Sequence, residues 1–183
     1  MNKLPKLPPM KDMALDFVGN YFRKTFAASR LPPVEVVQLA YYDAMTYNRA
    51  TNSGGARFCF RFRDFRRYHL RTAQELLYRH SREIDPKIPP STADFLQFAA
   101  VIAVREMGGP ELYKLIVHGR KDAENEHEAG SPDNIPQNSN SAADFEAKFL
   151  DKGFSIEQAV ALSAIEAFPT IKKPLRDKSW SIF

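Results

Sequence analysis

The sequence contains little of what several classes of protein require. It has a single cysteine, Cys59, among 183 residues, which excludes a disulfide framework and a zinc site built from cysteines. No apolar run approaches the roughly 20 residues of a membrane-spanning helix, and the longest, residues 95–104, is interrupted by Gln97. The net charge is only +4, so an acidic partner is permitted without being required.

What the sequence does contain is typical of one globular domain. Hydrophobic residues make up 44% of the chain and aromatic residues 12%. These contents are higher than those of a disordered tail. A chain of this length buries roughly 70% of its unfolded surface, which is enough for a substantial core. The first twelve residues have no apolar stretch of the kind that a secretory signal needs.

Apolar residues recur at spacings of three and four along most of the chain, which is the helical period. The pattern, its capping residues and its glycine and proline stops predict helices over residues 13–27, 33–48, 72–85, 92–107, 142–151 and 155–167. Only residues 57–65 alternate as a strand would, and no partner strand accompanies them. The predicted fold is all-α.

Composition also divides the chain into three parts. Residues 1–30 form an N-terminal tail and first helix, and residues 31–168 form the main helical domain. Within that domain residues 121–141 are polar and predict a long loop. Residues 169–183 are predicted to form an extended basic tail.

Four blocks in a fixed order then resemble one family. They are VVQLAYYDAMTYNRATNSGG at 36–55, STADFLQFAAVIAVREMGGPEL at 91–112, HGRKD at 118–122 and FLDKGFSIEQAVALSAIEAF at 149–168. These resemble the distal helix, central helix, Gly-Arg loop and proximal helix of class I haem peroxidases, the ascorbate peroxidase group. The resemblance implies a haem-peroxidase-like fold, shortened after the proximal helix.

The resemblance also shows where this sequence departs from the family's chemistry. The distal arginine and histidine, which act on peroxide in the family, correspond to Gln38 and Tyr42, and the distal aromatic residue corresponds to Tyr41. The asparagine that supports the distal histidine falls near Tyr68. A phenol is a poor base at neutral pH and an amide carries no charge, so this side of the site is predicted to be inactive.

The proximal side departs in the same way. The histidine that ligates haem iron in the family corresponds to Glu166, and Trp180 resembles the proximal tryptophan. Iron in a peroxidase needs an imidazole or another strong donor. The remaining histidines are interpreted as surface or helix-face residues: His69, His80, His118 and His127. We therefore expect neither haem nor any other cofactor, although residual haem binding stays open as an alternative.

Two simpler interpretations accompany these assignments. Tyr41 and Tyr42 are adjacent and point to different sides of a helix, so at most one would face a former haem pocket, where it would fill vacated space. Glu166 could be a lone catalytic acid, but it has no evident partner carboxylate. A salt bridge at a helix end or an interface contact is the preferred interpretation.

An arginine- and aromatic-rich segment, residues 57–71, supplies the candidate partner-binding residues. It includes Arg57, Arg61, Arg63, Arg66 and Arg67. Arginines suit phosphates and exposed rings stack on bases, so RNA or anionic lipid contact is one hypothesis. The other is that the phenylalanines pack inward while the arginines pair with acidic groups of this chain or another.

The sequence as a whole favours a catalytically inactive peroxidase relative that serves as a structural or accessory subunit of a large protein assembly. A respiratory-chain, ATP-synthase or ribosomal complex of the mitochondrion is the expected setting, with the plastid as alternative. An RNA-contacting subunit of an organellar ribonucleoprotein is the second hypothesis, and a residual haem peroxidase is the third. Trp180 is a further candidate contact in the C-terminal tail.

Overall fold

The structure, a computed structural model, describes residues 12–28, 31–62, 70–83, 91–112, 115–137 and 140–167, without the side chains of residues 12–17, 83, 166 and 167. Six α-helices lie in these ranges: α1 (Asp12–Ala27), α2 (Pro33–Met45), α3 (Arg71–Glu83), α4 (Thr92–Glu106), α5 (Ala142–Asp151) and α6 (Ile156–Ser163). The described ranges contain no sheet, only one antiparallel bridge between Asn48 and Ser53. The predicted all-α fold is confirmed.

The helices begin where the sequence predicts them because their first turns are capped. The Ser91 hydroxyl accepts a hydrogen bond from the Asp94 amide at the start of α4. Ser155 and Gln158 form a reciprocal capping box at the start of α6, which satisfies two otherwise unpaired amides. Pro33 occupies the first position of α2, where its missing N–H is not needed.

Three predicted elements differ from the observed ones. The helix predicted over residues 155–167 ends at Ser163 and is followed by a 3-10 turn, Ala164–Ala167. The second helix ends at Met45 rather than near residue 48, because the Thr46 hydroxyl turns back to donate to the Asp43 carbonyl at 2.7 Å. The described part of the alternating segment forms a 3-10 turn, Cys59–Arg61, after Phe58 with a positive φ of 56°. That left-handed backbone breaks the alternation on which a strand depends.

The core is formed by α2 and α4, with α1 packed against α4. Alanines at positions 93, 99 and 103 of α4 are fully buried, and their small side chains allow neighbouring helices to approach closely. The first helix, which the sequence sets apart from the main domain, contributes Val18, Phe22 and Phe26 to the same cluster. Phe22 and Phe95 join α1 to α4, with ring centroids 4.9 Å apart.

The described part of the polar segment, residues 121–137, 140 and 141, is irregular apart from a 3-10 turn at Pro132–Asn134. It is held by the chain itself, because the Gly54 amide donates to the Glu128 carbonyl at 2.7 Å and the Ala123 amide donates to the Arg57 carbonyl at 2.7 Å. In the described ranges no helix is both long and apolar enough to cross a lipid bilayer.

Candidate functional site

The three positions predicted to be degenerate on the distal side lie on α2 and are all buried: Gln38, Tyr41 and Tyr42. Gln38 and Tyr42 are one helical turn apart and so share a face. The rings of Tyr41 and Tyr42 meet edge to face, with centroids 5.4 Å apart. Both tyrosines belong to the main core cluster, so both rings lie in the interior, and the idea that one of them fills a vacated haem pocket stays a prediction.

Gln38 joins this distal segment directly to the proximal one. Its side-chain amide donates a hydrogen bond to the Ile165 carbonyl at 3.3 Å, across 127 positions of sequence. Ile165 lies in the 3-10 turn Ala164–Ala167, next to Glu166, and its side chain packs against the core. The distal glutamine and the backbone beside the proximal position are therefore in contact.

This contact tests whether the residues present fit a haem. In the arrangement that the family resemblance implies, the macrocycle lies between the distal and the proximal residues. Two groups on opposite faces of a flat ring are separated by about two van der Waals distances, roughly 7 Å. The 3.3 Å between Gln38 Nε2 and Ile165 O is half of that, so these residues do not fit a haem placed between them.

The described histidines lie on other parts of the chain, outside α2 and the turn Ala164–Ala167. The His80 ring on α3 packs edge to face with Tyr21 of α1 and its Nδ1 hydrogen-bonds the Tyr21 hydroxyl. His118 is half-buried in the loop after α4, and His127 is exposed in the polar segment. The described residues hold no group of three or more side chains that would bind a metal. His69 lies outside the described residues.

A second site on α2, which sequence reasoning missed, centres on Asp43. This carboxylate is completely buried and accepts hydrogen bonds from the amides of Phe58 at 2.9 Å and Cys59 at 2.6 Å. Burial raises the pKa of Asp43 to about 7, and the two amide bonds oppose that rise. The available signal was an acidic residue inside the apolar stretch 39–45 of this helix.

Thr46, one turn further on, organises the backbone around it. Its hydroxyl accepts from the Gly55 amide at 2.9 Å and its carbonyl accepts from the Asn134 side chain at 3.0 Å. A Cβ added to Gly54 would lie 2.3 Å from the Thr46 carbonyl oxygen, and one added to Gly130 would lie 2.8 Å from it. We call this group the Thr46 cluster: Asp43, Thr46, Gly54, Gly55 and Gly130.

The Gly-Arg loop and the central helix form a third structural link. The buried Asp94 carboxylate of α4 accepts from the Gly119 amide at 2.6 Å and from the Arg120 guanidinium at 3.0 Å. Asp122 in turn accepts from the Thr92 and Ala93 amides at the start of the helix. Both carboxylates satisfy amides that would otherwise be unpaired, so the HGRKD block at 118–122 has a structural role here.

The described part of the arginine-rich segment packs mostly inward. Phe58 and Phe60 are buried, so they are not available to stack on bases. The Arg57 guanidinium pairs with the Glu128 carboxylate at 2.7 Å, and Arg61 is exposed. Arg57, Phe58 and Phe60 have the contacts that the inward-packing interpretation expects, and the choice between the two hypotheses stays a prediction.

Several predicted site residues lie outside the described residues: Arg63, Arg66, Arg67, Tyr68 and Trp180. Glu166 is described in its backbone alone. Their assignments remain predictions, as do the three-part division of the chain and the shortening after the proximal helix.

Comparison with known proteins places these observations in a wider setting. The family model for peroxidases matches residues 18–173, a range that contains all four blocks. The chain is 31% identical over 142 residues to the Oryza sativa subsp. japonica protein named "Probable L-ascorbate peroxidase 3, peroxisomal", covering 77% of this chain and 47% of the rice protein. It is 30% identical over 129 residues to "L-ascorbate peroxidase 5, peroxisomal" of Arabidopsis thaliana, covering 70% and 44%.

The chain thus spans about half the length of the curated relatives it matches. Among solved structures, it superposes on the TL29 protein from Arabidopsis thaliana with a TM-score of 0.61 over 84% of this chain and 73% of that one. Sequence identity in that superposition is 23%, so the likeness concerns the fold.

Proposed function

Since this chain belongs to the peroxidase family, in its class I haem-peroxidase-like group, we propose that it is a non-catalytic member of that family. Its function would be that of a structural or accessory subunit in a larger protein assembly. Enzymes related to it act through groups on both faces of the haem, whereas the proposed role needs only the scaffold and its surface.

The observation that carries the proposal is the hydrogen bond from Gln38 to the Ile165 carbonyl at 3.3 Å. It occupies the space between the two sides on which peroxidase chemistry depends. Tyr42, at the position of the distal base, is buried in the core beside Tyr41. A buried phenol that packs against another ring supports a role in filling space.

The surface supports the second half of the proposal. Large apolar side chains are exposed at several places among the described residues: Tyr78, Met107, Leu115, Val117, Leu150, Ile156 and Val160. Scattered exposed apolar residues are normal, but a contiguous group marks an interaction surface. The pair on α6 lies one helical turn apart on a single face.

For location we propose an organelle, with the mitochondrion as the expected one. The names of the matched rice and Arabidopsis proteins specify the peroxisome and so favour organellar targeting in general. Imaging of the full chain with mitochondrial, plastid and peroxisomal markers distinguishes the three. Exclusive co-localisation with the peroxisomal marker would contradict the mitochondrial expectation.

The test of the subunit role is gentle native purification of the full chain from organelle extract, with and without nuclease, followed by sizing. Migration far above 20.9 kDa that persists after nuclease is expected. Collapse to a small species with nuclease would favour RNA contact instead. Migration as a free monomer in both samples would contradict both roles.

The non-catalytic half of the proposal has its own test. The purified protein should show no Soret absorbance and no peroxide-dependent oxidation of ascorbate, even after incubation with hemin. An ascorbate peroxidase treated in the same way is the positive control. Stoichiometric haem together with turnover would restore the third hypothesis, a residual peroxidase.

A further inference from the structure

Helix α6 has apolar residues on its outer side as well as on its inner side. Ala159 is buried and Leu162 packs against the core. On the opposite side the side chains of Ile156 and Val160 are 54% and 67% exposed, and Ala161 and Ala164 beyond them are exposed as well. These four outward residues, Ile156, Val160, Ala161 and Ala164, are called the α6 face.

The charged residues of the chain segment that carries the α6 face have one sign. Residues 153–167 contain no lysine, arginine or histidine. Glu157 lies on the outer side of α6, and a hydrogen bond from the Ser155 hydroxyl at 2.7 Å lowers the pKa of its carboxyl group. This carboxylate therefore stays negative at neutral pH.

The neighbouring helix also has exposed apolar and acidic side chains. α5 and α6 are joined by a tight turn in which the Gly153 amide donates to the Leu150 carbonyl at 2.9 Å. Leu150 is 46% exposed, and Glu146 and Asp151 of α5 are exposed too.

The ammonium groups of the two lysines in this region bind carbonyls of the polar segment, although Lys152 also interacts electrostatically with Asp151. The Lys148 ammonium donates to the Asp133 carbonyl and the Lys152 ammonium to the Asn134 carbonyl, each at 2.7 Å. Lys148 also lies 3.8 Å from Asp144 of its own helix. Both lysines are thus held against the polar segment, and Glu146, Asp151 and Glu157 remain at the surface.

We propose that the α6 face binds a basic amphipathic helix of another protein chain. The apolar stripe of that helix would cover Ile156 and Val160, and its flanking lysines or arginines would meet Glu157 and Asp151. This is the helix-on-apolar-face mode of recognition, with partner choice set by charge complementarity. The inference rests on the proposed subunit role and names the chemistry of the partner.

Other occupants fit the charges less well. An anionic lipid surface would be repelled by the carboxylates around the face, since such surfaces attract lysine and arginine. A second copy related by two-fold symmetry would present the same patch to itself, which brings Glu157 towards its own copy. Like charges brought together across an interface oppose association.

The experiment replaces Val160 by the photo-crosslinking residue p-benzoylphenylalanine in the full chain, expressed in its native cells. After irradiation the crosslinked peptide is identified by mass spectrometry, and the complex is sized. We expect a segment of another protein with apolar residues at i, i+3 or i+4 and i+7 and a net positive charge. The same probe at exposed Asn52 should not capture that segment.

A charge variant sharpens the test. Glu157→Lys should lower the yield of that crosslink at least fivefold, whereas Glu124→Lys, at an exposed position of the polar segment, should leave it unchanged. Both are exposed substitutions that do not disturb the core.

Other products would overturn the inference. They are a crosslink to an acidic segment, to lipid, to a second copy or to residues 168–183 of the same chain, or no crosslink in a protein that still migrates at high mass. Migration as a free monomer is a different result, since it contradicts the subunit role itself. Sizing and crosslink identity together therefore separate the two failures.

Discussion

Two groups of residues in and next to helix α2 relate to the peroxidase pattern in opposite ways. At its C-terminal end Thr46, Gly54 and Gly55 keep the residues that resemble the family, and they form a network of backbone contacts. Earlier in the helix, one and two turns before Thr46, Tyr42 and Gln38 are the residues that the resemblance matches with the family's catalytic histidine and arginine, and both are buried in the core.

The difference between the two groups of residues has a physical basis. In the Thr46 cluster the residue type is dictated by backbone geometry, because no side chain larger than hydrogen fits where Gly54 and Gly130 approach the Thr46 carbonyl. At Gln38 and Tyr42 the interior requires only volume and a partner for the polar atoms. A position fixed by such backbone geometry accepts only glycine, whereas a packing position accepts different side chains of suitable volume.

The sharpest way to break this comparison is Gly54→Ala. The new Cβ would lie 2.3 Å from the Thr46 carbonyl oxygen, and the φ of +72° is itself strained for alanine. We expect a loss of about 3–4 kcal/mol in the free energy of unfolding, measured by urea denaturation. Gly153→Ala is the matched control, because its φ is +90° with nothing within 4 Å of the new atom.

That control should lose only the strain of the left-handed backbone, about 1 kcal/mol. Equal losses at the two glycines would mean that the approach to Thr46 is not what fixes Gly54. The comparison between the Thr46 cluster and the positions of Gln38 and Tyr42 would then lose its main support.

The second prediction concerns the pH dependence contributed by the buried carboxylate in the Thr46 cluster. The pKa of Asp43 rises from 3.8 to about 7 on folding, so the native state holds a proton that the unfolded chain releases. Stability is fully present below about pH 4 and falls as the pH rises to about 7, with a slope approaching about 1.4 kcal/mol per pH unit.

Asp43→Asn should remove that slope, as followed by urea denaturation between pH 4 and pH 8. Asp151→Asn, which removes an exposed carboxylate, is the matched control and should keep it. An unchanged slope in Asp43→Asn would contradict the assignment to this carboxylate. The variant should also be less stable at low pH by about 1–3 kcal/mol, because an amide cannot replace both of its acceptor oxygens.

The sequence predicts the helices of this fold better than it predicts the contacts between them. Local signals set the helix boundaries, as with Ser91 at α4 and Ser155 at α6. The Gln38–Ile165 bond joins residues 127 positions apart, and no periodicity encodes such a pairing.

The sequence does not predict the Asp43 site for a related reason. Its two amide partners come from a return of the chain at Phe58, which has a φ of +56°. Phenylalanine gives no indication of a left-handed backbone, since bulky residues seldom adopt one. The sequence therefore predicted an alternating strand-like segment where the structure has a 3-10 turn that binds a carboxylate.

The third prediction tests how well the position of Gln38 in α2 tolerates a substitution. Gln38→Leu keeps most of the buried volume and removes the side-chain amide that donates to the Ile165 carbonyl. We expect a change of about 1 kcal/mol or less in the free energy of unfolding. Leu39→Ala, at a fully buried neighbour, should lose about 2–5 kcal/mol and shows that the assay detects core damage. A loss in Gln38→Leu as large as that would make this position as constrained as the Thr46 cluster.

The smallest expected effect is that of restoring the family's two histidines. In the double variant Tyr42→His and Glu166→His, hemin titration should give no saturable Soret band, because Gln38 still lies 3.3 Å from the Ile165 carbonyl. Adding Gln38→Ala removes that contact, and one-to-one haem binding in the triple variant alone would assign the exclusion to it. Saturable binding in the double variant would show that the imidazoles, and not the closed space, were what the chain lacked. The Thr46 cluster and the positions of Gln38 and Tyr42 would then differ in chemistry alone rather than in how tightly the backbone constrains them.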